Sequence, residues 1–584
     1  MSARELITEH LDLWTGAVTK KSSSGRGSNG KVELTGVTKL RELIFGMAVQ
    51  GKLTTREARD EPASNILQRN SVRQSQLYTQ GKIKKPKELA SVSVKEQYFH
   101  LPENWEWTRL GSLFDSIMSG GTPSKQNPRF WDGEIPWASV KDLGKTKHLD
   151  KTQDYITEEG LKAGSKLADT GDVLICTRMG LGKVAICSKP IAINQDLKAV
   201  KISPEVSLDY FFLAYTTLDI TGTGTTVAGI TQDKLLNYVI GLPPIEEQHR
   251  IVQKVDELMA LCDRLEQQTS DQLEAHETLV DTLLGTLTQS ENVAELADKW
   301  ARLAAHFDTL FTTEQSIDKL KKTILQLAVM GRLMEQDSED EPTAQLLERV
   351  SNEKQRLIKS KILKRTKSLA PLDTSALQSI PESWSWVNLG DIISVMDAGW
   401  SPACPPRPAD PEKWGVLKTT AVQVMKYQEF ENKQLPDNKA PKEQYEVRSG
   451  DILITRAGPK NRVGITCVVK ETRDKLMISD KIIRFHLIET GLSEEYICLC
   501  LNAGETYNYL EQAKSGMAES QMNISQDKLK AAPVPLCPAN EQHRIVQKVD
   551  ELTALCDQLK ERLNQAGETR CQLAEAVVEG ALSE

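Results

Sequence analysis

Several features that would each identify a class of protein are missing from this chain of 584 residues. Its ten cysteines include no Cys-x-x-Cys pair, which argues against a zinc cage and against a disulfide framework. Without disulfides, a reducing, cytoplasmic setting fits best. No apolar run reaches the roughly 18 residues of a membrane span, and the N-terminus lacks the apolar core of an export signal. We therefore predict a cytoplasmic protein with no metal site and no membrane-inserted segment.

An excess of positive charge is missing as well, because the formal net charge is −8. Basic and acidic residues are also close to balance within each of the two variable regions described below. This balance argues against a protein that coats nucleic acid indiscriminately. It permits a protein that binds nucleic acid through positive groups confined to one face.

Motifs for catalysis are incomplete. Residues 25–31 have the Gly-x-x-x-x-Gly-Lys spacing of a phosphate-binding loop, but Val32 stands where a Ser or Thr would hold magnesium. Residues 127–130 fall one residue short of the Asn-Pro-Pro-aromatic motif of base methyltransferases, because Arg129 replaces the second proline. We interpret both near-matches as coincidence. The sequence therefore predicts a chain that is not an enzyme, has no catalytic residues and binds no cofactor of its own.

What the chain does contain is a long internal repeat. Residues 247–265, EQHRIVQKVDELMALCDRL, return 294 positions later as residues 541–559, EQHRIVQKVDELTALCDQL, with two substitutions. Flanking matches pair VTKLRELIFGMAVQGKL with IDKLKKTILQLAVMGRL, PENWEW with PESWSW, GDVLICTR with GDILITR, and ITQDKL with ISQDKL. Because the sequence between these matches diverges, we predict two variable modules on a duplicated frame.

The repeated block has the apolar spacing of a coiled coil, with steps of four and three residues. The seam residues are Ile251, Val255, Leu258, Cys262 and Leu265 in the first copy, and Ile545, Val549, Leu552, Cys556 and Leu559 in the second. We predict that two such helices pack together. Two surface helices, each packed on its own module, are the alternative.

Within the modules, short apolar runs such as VLIC, VAIC and ILIT are bounded by glycine and charge and read as buried strands. Helical stretches follow them, so each module is predicted to be a mixed α/β body. We divide the chain into a helical region with a basic linker (1–99), a first module (100–245), a central helical region (246–379), a second module (380–539) and a C-terminal helix (540–584).

The duplicated order of these motifs resembles the specificity subunit of type I restriction-modification enzymes, over nearly the full length. The N-terminal helical block resembles the subgroup with a long N-terminal conserved region. The resemblance implies a mixed α/β fold in which two target-recognition domains are joined by long conserved helices. These helices would form an antiparallel coiled coil within an internal pseudo-two-fold repeat.

The resemblance also implies a function. Each recognition domain would read one half of a bipartite site in double-stranded DNA, and the repeated helices would set the spacing and dock two modification subunits. Those partners would carry the adenine methyltransferase and its S-adenosylmethionine, and restriction subunits would cleave DNA with ATP and magnesium. A helix of roughly 40 residues spans about 60 Å, which exceeds one DNA turn of about 34 Å, so such a spacer is long enough.

Residues for DNA contact are chosen by side-chain chemistry, because Lys, Arg, Asn, Gln and small hydroxyl residues suit phosphates and base edges. In the first module the candidates are Thr122, Ser124, Lys125, Arg178, Lys183, Asn194 and Gln195. In the second they are Arg456, Lys460, Arg462, Ser479 and Lys481. The second module departs from GGTPSK, having AGWSPACPPRP from Ala398, so no contact is transferred there. Ordinary solvated charges are the alternative for each candidate.

Two other functions stay open. An interaction scaffold that binds no nucleic acid would also suit the acidic net charge, and a salt series of DNA-binding measurements separates it from a DNA reader. A self-sufficient methyltransferase would have to bind S-adenosylmethionine by itself.

Overall fold

The computed structural model describes residues 7–20, 32–55, 57–223, 228–290, 293–363 and 369–583. The near-match to a phosphate-binding loop at residues 25–31 lies outside them. The chain divides into two compact units: unit 1 is Met1–Gln272 with Ala566–Glu584, and unit 2 is Leu273–Gln565. Both boundaries fall inside long helices. The earlier division into five segments stays a prediction.

Helices form the frame of each unit. The described helices are α1 (Leu11–Gly16), α2 (Thr35–Val49), α3 (Ala63–Thr79), α4 (Glu158–Gly164), α5 (Leu208–Thr216), α6 (Gln232–Asn237), α7 (Ile245–Thr288), α8 (Val293–Ala304), α9 (Phe307–Leu310), α10 (Glu314–Val329), α11 (Thr343–Lys359), α12 (Leu389–Ile392), α13 (Glu494–Asn502), α14 (Gly504–Ala513), α15 (Gln526–Lys530) and α16 (Ala539–Ser583). No helix within the described ranges is long and apolar enough to cross a membrane.

Strands of the first module are β1 (Thr19–Lys20), β2 (Val32–Glu33), β3 (Glu106–Arg109), β4 (Phe114–Ser119), β5 (Trp131–Ala138), β6 (His148–Leu149), β7 (Asp154–Ile156), β8 (Lys166–Ala168), β9 (Val173–Cys176), β10 (Val184–Cys187), β11 (Ile191–Ile193), β12 (Leu197–Ile202) and β13 (Val239–Leu242), of which β1 and β2 precede the module proper. They form sheets of order β4-β12-β9-β10-β6 and β7-β5-β11-β8, and β3 pairs with β13.

Strands of the second module are β14 (Ser385–Asn388), β15 (Ile393–Ala398), β16 (Gly415–Leu417), β17 (Val422–Gln423), β18 (Lys426–Tyr427), β19 (Asn432–Gln434), β20 (Ile452–Thr455), β21 (Ala457–Gly458), β22 (Thr466–Val468), β23 (Leu476–Met477), β24 (Ile482–Leu487), β25 (Met522–Asn523) and β26 (Pro533–Leu536). Their main sheets have the orders β15-β24-β20-β22 and β19-β16-β23, and β14 pairs with β26. These orders repeat those of the first module except that β6 and β8 have no counterpart in the two main sheets.

The predicted apolar runs are strands, as expected for segments buried on both faces. VLIC, VAIC and ILIT form β9, β10 and β20, and every residue of these strands is buried. A glycine with positive φ precedes β9 and β20, Gly171 at 85° and Gly450 at 89°. Each of these glycines adopts a left-handed conformation, which favours glycine over other residues, in the turn just before the strand begins. The mixed α/β fold is confirmed.

The two long helices are 44 and 45 residues long, and each begins in one unit and ends in the other. Each unit therefore holds the first part of one long helix with the last part of the other, as expected of antiparallel helices. In unit 2, Ile545, Val549 and Cys556 share one buried cluster with Val280 and Leu284 near the end of α7 and with apolar residues of α10. The end of α7 and the first part of α16 therefore contribute to one core in unit 2.

The first seam lies in unit 1. Ile251, Val255, Leu258 and Cys262 are buried, whereas Leu265 is partly exposed. Arg41 of α2 makes ion pairs with Asp263 and Glu266 of α7, at 2.6 and 2.7 Å. In the second seam, Leu552 and Leu559 are partly buried against the cluster of unit 2. Each long helix therefore also contacts a shorter helix of its own unit, α2 for α7 and α10 for α16, which is neither of the two alternatives considered for the sequence.

Each long helix is joined to its module by the same buried contacts. Trp105 Nε1 donates to Glu247 in unit 1, and Trp384 Nε1 donates to Glu541 in unit 2, both at 3.0 Å. The Tyr210 hydroxyl donates to the Gly241 carbonyl at 2.7 Å, and Tyr496 donates to the Pro535 carbonyl at the same distance. Burial raises the pKa of both glutamates. The repeat thus extends from sequence to individual hydrogen bonds.

Candidate nucleic-acid interface

Four loops of the first module meet at one edge of its sheets. They are residues 120–126 after β4, residues 139–147 after β5, residues 177–183 after β9 and residues 194–196 after β11, and we call them reading edge 1. The loops are joined by backbone hydrogen bonds from Gly121 N to Ile193 O at 2.9 Å, from Asn194 N to Ala138 O at 3.0 Å and from Thr177 N to Asp196 O at 2.9 Å. Strand direction explains the meeting, because β4 and β9 are both antiparallel to β12, while β5 is parallel to β11.

Reading edge 1 brings together the residues predicted from loops 120–126 and 194–196. The Thr122 hydroxyl donates to Oε1 of the exposed Gln195. Asn194 is buried, and its Oδ1 accepts from Asp196 N at 3.0 Å. This bond holds the backbone of loop 194–196 in place. Ser124 and Lys125 are exposed. The structure therefore presents Gln195 and Lys125 to solvent and assigns Asn194 a positioning role.

The hairpin between β9 and β10 carries the other two predicted residues. The Arg178 guanidinium lies 3.8 Å from the Asp196 carboxylate and is about half exposed. Lys183 is exposed, and no ion pair joins it to another described residue. A β-carbon at Gly144 would lie 3.2 Å from Lys183 Cγ, so the hairpin lies beside the loop that follows β5.

That neighbouring loop contains basic residues that the sequence reasoning missed. Lys141 and Lys145 are exposed in it, close to Lys183 through Gly144. The lysine-rich stretch KDLGKTKHLDK was visible in the sequence, but only the topology brings it to the same edge as residues 177–183 and 194–196. The added charge gives reading edge 1 a strip of ammonium groups suited to phosphate contacts.

The second module has an equivalent edge, which we call reading edge 2. It comprises residues 399–402, 418–431, 455–463 and 479–481. Trp400 N donates to Ile478 O at 3.1 Å and Arg456 N donates to Lys481 O at 2.8 Å, repeating two of the backbone bonds of reading edge 1. Lys481 and Lys460 are exposed, and Lys460 lies 3.2 Å from Glu519.

Two predicted residues of the second module are built into its loops. The Arg462 guanidinium donates to Gln423 Oε1 at 3.0 Å and to the carbonyls of Thr419 and Val422 at 2.7 and 2.8 Å. Burial lowers the pKa of Arg462. Ser479 is buried. Their DNA contact stays a prediction that this geometry makes less favourable, because most of the donors are already used within the loop.

The second module has AGWSPACPPRP from Ala398 where the first has GGTPSK, and the structure places the start of this segment at the same edge. Gly399, Trp400, Ser401 and Pro402 occupy the equivalent backbone positions, and a β-carbon at Gly399 would lie 1.9 Å from Ile478 O, as one at Gly120 would lie 2.4 Å from Ile193 O. The Ser401 hydroxyl donates to the Asp480 carboxylate, as Thr122 donates to Gln195. The shared Gly-x-Ser/Thr-Pro pattern was the missed signal.

Pairing GDVLICTR with GDILITR also placed the arginines one position out of register. Thr177 O accepts from Ile230 N at 2.9 Å, and Arg456 O accepts from Ile524 N at the same distance. Arg456 therefore occupies the backbone position of Thr177, and Ala457 that of Arg178. The two edges share a backbone framework and differ in the side chains that it presents.

Both edges expose side-chain donors: Lys125, Lys183 and Gln195 in the first module, and Lys460 and Lys481 in the second. Within the described ranges, no cluster of His, Cys, Asp and Glu could hold a metal ion. Exposed lysine, arginine and amide groups can donate to phosphates and base edges.

Comparison with known proteins agrees with this division into two modules. The family model for the type I restriction modification DNA specificity domain matches residues 102–275 and 381–568. The chain is 46% identical to the type I restriction enzyme EcoEI specificity subunit of Escherichia coli, with 100% of both chains covered. It is 34% identical to the EcoAI specificity subunit of the same organism, again over 100% of both chains.

Among solved structures, the crystal structure of the HsdS subunit from Thermoanaerobacter tengcongensis has a TM-score of 0.38 at 18% identity, with 84% of this chain and 99% of that chain covered. The family model, matched twice and over more than half of the residues, and the two full-length relatives decide the assignment. The chain belongs to the family of type I restriction-modification DNA specificity subunits.

Proposed function

We propose that each recognition module reads one half of a bipartite site in double-stranded DNA through its reading edge. The observation that carries this proposal is the equivalence of the two edges: one backbone framework presents Thr122 and Gln195 in one module and Ser401 and Asp480 in the other. Different side chains on the same framework would select different bases. The exposed lysines would contact phosphates and fix the register.

The helical frame would set the separation of the two half-sites and dock two modification subunits. The seam residues, which we predicted as both coiled-coil and docking positions, are buried or partly buried within the chain. Docking therefore falls to exposed residues of the same helices. Leu261 and Leu555 are 43% and 55% exposed, and Leu279 and Leu573 are 49% and 52% exposed.

These leucines come in pairs separated by 294 positions, the spacing of the repeat. Exposed apolar side chains that recur at equivalent positions suit two copies of one partner. The modification partners would supply adenine methylation with S-adenosylmethionine, and restriction subunits would add cleavage that depends on ATP and magnesium. The chain itself would be a non-catalytic, cytoplasmic subunit.

Stoichiometry tests the docking. L261E and L555E, made separately and together, are mixed with excess modification subunit, and the mass of each complex is measured. Each single variant should lose one partner copy and the double variant both, because a carboxylate would be buried against an apolar surface. Exposed Leu11, outside the long helices and 44% exposed, provides a matched control in L11E. Unchanged mass of the double variant would rule out this surface.

Methylation mapping tests the reading of DNA. Cells that carry the modification subunits, with and without this chain, are compared by single-molecule sequencing of modified bases. A single split motif should appear only with the chain, and replacing residues 102–243 by another module should change one half of that motif alone. Methylation that does not depend on the chain, or a motif unchanged by the replacement, would contradict the proposal. Filter binding over a salt series separates it from a scaffold without nucleic acid, which would show no counterion-release slope.

A further inference from the structure

An exposed methionine lies beside each reading edge. Within the described ranges, Met179 and Met517 are the two methionines with exposed side chains: Met179 is 70% exposed and Met517 is fully exposed. Methionine is usually buried, because its thioether side chain loses free energy in water. An exposed methionine beside the polar groups of reading edge 1 therefore needs an explanation, whereas reading edge 2 also exposes Val424 and Phe430, at 50% and 79%.

The two methionines stand on equivalent pairs of loops. In the first module, Met179 lies in the hairpin between β9 and β10, and its N–H donates to Ala228 O at 3.3 Å. In the second module, Met517 lies in residues 514–523, where Glu519 O accepts from Lys460 N at 2.7 Å. Met179 therefore lies where the hairpin after β9 contacts Ala228, and Met517 lies two residues from the contact of Glu519 with the hairpin after β20.

The backbone of Met179 is strained. Its φ of 61° lies in the left-handed region, where glycine is accommodated freely and a side chain raises the conformational energy. The two glycines Gly180 and Gly182 lie in the same loop, and only Gly182 has positive φ. A large apolar side chain at a position that favours glycine indicates that the side chain itself has a role.

The surroundings of Met179 indicate what that role is. Arg178 precedes it, and Gln195 and Lys183 lie in adjoining parts of reading edge 1. A protein-docking surface would continue the apolar area, whereas here one apolar group is set among hydrogen-bond donors. DNA grooves offer this combination, because phosphates and base edges accept hydrogen bonds while thymine methyls and base faces take apolar side chains.

We propose that Met179 and Met517 are specificity residues, each of which makes apolar contact with a base in the half-site read by its own module. The inference rests on the proposed function of the reading edges. It goes beyond that function by assigning part of the selectivity to van der Waals contact with a base at one position of each half-site, made by a thioether and not by a hydrogen-bonding side chain.

The test uses the chain assembled with its modification subunits and a duplex that carries the mapped target. Dissociation constants are measured for the target, for a duplex with the first half-site scrambled and for one with the second scrambled. M179A should bind the target about tenfold more weakly, the effect of losing roughly half of a buried methionine side chain. It should bind the duplex with the first half-site scrambled as tightly as the wild type does. M517A should show the reverse pattern.

Two further substitutions at position 179 separate contact from folding. M179L keeps the apolar volume and should stay within about twofold of the wild type. M179G relieves the strained φ, so its thermal midpoint should equal or exceed that of the wild type, yet it should lose as much target affinity as M179A. If M179G binds the target more weakly while its thermal stability is unimpaired, the lost affinity reflects a lost contact with DNA and not a folding defect.

The inference is overturned if M179A and M179G bind the target as the wild type does, or if they weaken binding to all duplexes equally. It is also overturned if M179A fails to assemble with the modification subunits, since Met179 would then be a protein contact. K183A distinguishes failure of the proposed function. Loss of a phosphate contact in K183A should weaken binding to all three duplexes and lower the slope of affinity against salt concentration. If K183A binds DNA as the wild type does, the proposed function of the reading edge is wrong.

Discussion

Removing the ion pair between Arg250 and Asp60 should loosen the first long helix from the segment between α2 and α3, in which Asp60 lies. Two bonds join these side chains, at 3.1 and 2.5 Å, and the Asp60 side chain is 1% exposed whereas that of Arg250 is 26% exposed. The Arg250 guanidinium is the main cause that lowers the pKa of Asp60. Among the bonds from described residues, the buried carboxylate in R250A would keep the one from Glu57 N, at 3.1 Å.

The expected loss follows from this geometry. Removing one partner of a fully buried pair costs about 3–5 kcal/mol, and because Arg250 is partly hydrated we expect about 2–3 kcal/mol for R250A. R250K keeps the charge but cannot form two parallel bonds, so it should cost about 1 kcal/mol. The double variant D60N/R250A should cost less than the sum of its single changes, since no unpaired charge is left buried.

The repeat provides an internal replicate. Arg544 and Asp340 of unit 2 are joined by bonds of the same lengths, 3.1 and 2.5 Å. Urea unfolding gives the total loss, and hydrogen exchange locates it. R250A should speed exchange in residues 57–62 and 245–255, and R544A in residues 337–342 and 539–549. If both variants unfold at the wild-type urea concentration, the ion pairs do not hold the helices and the reasoning is refuted.

The effect of the ion pair should also depend on pH. A lowered pKa of Asp60 stabilises the folded state above the unfolded value of 3.8, and this contribution is lost as pH falls through the folded pKa. The difference in unfolding free energy between wild type and R250A should therefore shrink in acid. A difference that stays constant down to low pH would contradict the assignment to ionised Asp60.

Three further predictions follow from single contacts. Burial raises the pKa of Glu247 above 4.5 in the folded state. The folded state should therefore become more stable as pH falls through this raised pKa toward 4.5, because the buried carboxylate takes up a proton. Thermal unfolding of E247Q, measured over the same pH range, should not show this gain. G450A should cost about 1 kcal/mol in urea unfolding from backbone strain alone, because φ is 89° and no atom lies within 4 Å of the added β-carbon; no loss would show that the loop can relax. S401A should weaken or alter recognition of the second half-site, and T122A recognition of the first, with a loss of about 1 kcal/mol in binding free energy for the lost hydrogen bond. Methylation is measured on DNA targets in which one half-site at a time is changed. An effect of S401A on the first half-site, or of T122A on the second, would contradict the prediction.

The parts of the fold that the sequence predicts are those that burial dictates locally. VLIC and ILIT can be interpreted because four consecutive apolar residues between polar boundaries have few alternatives to a central strand. The heptad spacing predicts the long helices for the same reason. Which surface each seam would pack against was not predictable, because α2 and α10 offer apolar faces as suitable as a second long helix.

The reading edges were predicted only in part, because they are assembled from loops distant in sequence. Residue type alone selected Thr122, Gln195 and Lys183, which lie together at reading edge 1 and whose DNA contact stays a prediction. It also selected Arg462, whose guanidinium donates to the carbonyls of residues 419 and 422. Lys141 and Ser401 were missed because their relevance depends on the parallel pairing of β5 with β11 and of β16 with β23. Non-local strand pairing is the information that one-dimensional spacing lacks.

The two copies within the chain differ at the reading edges but share the contacts that hold each long helix to its module. Trp105 with Glu247 and Trp384 with Glu541 are joined at the same 3.0 Å, although the intervening modules have diverged in sequence. A buried indole and carboxylate have little freedom to change singly, because each would leave the other unsatisfied. At the reading edges, Thr177 is replaced by Arg456 and Asp196 by Lys481 on an unchanged pair of backbone bonds. Because those bonds do not involve the side chains, a new specificity can arise there without loss of the frame.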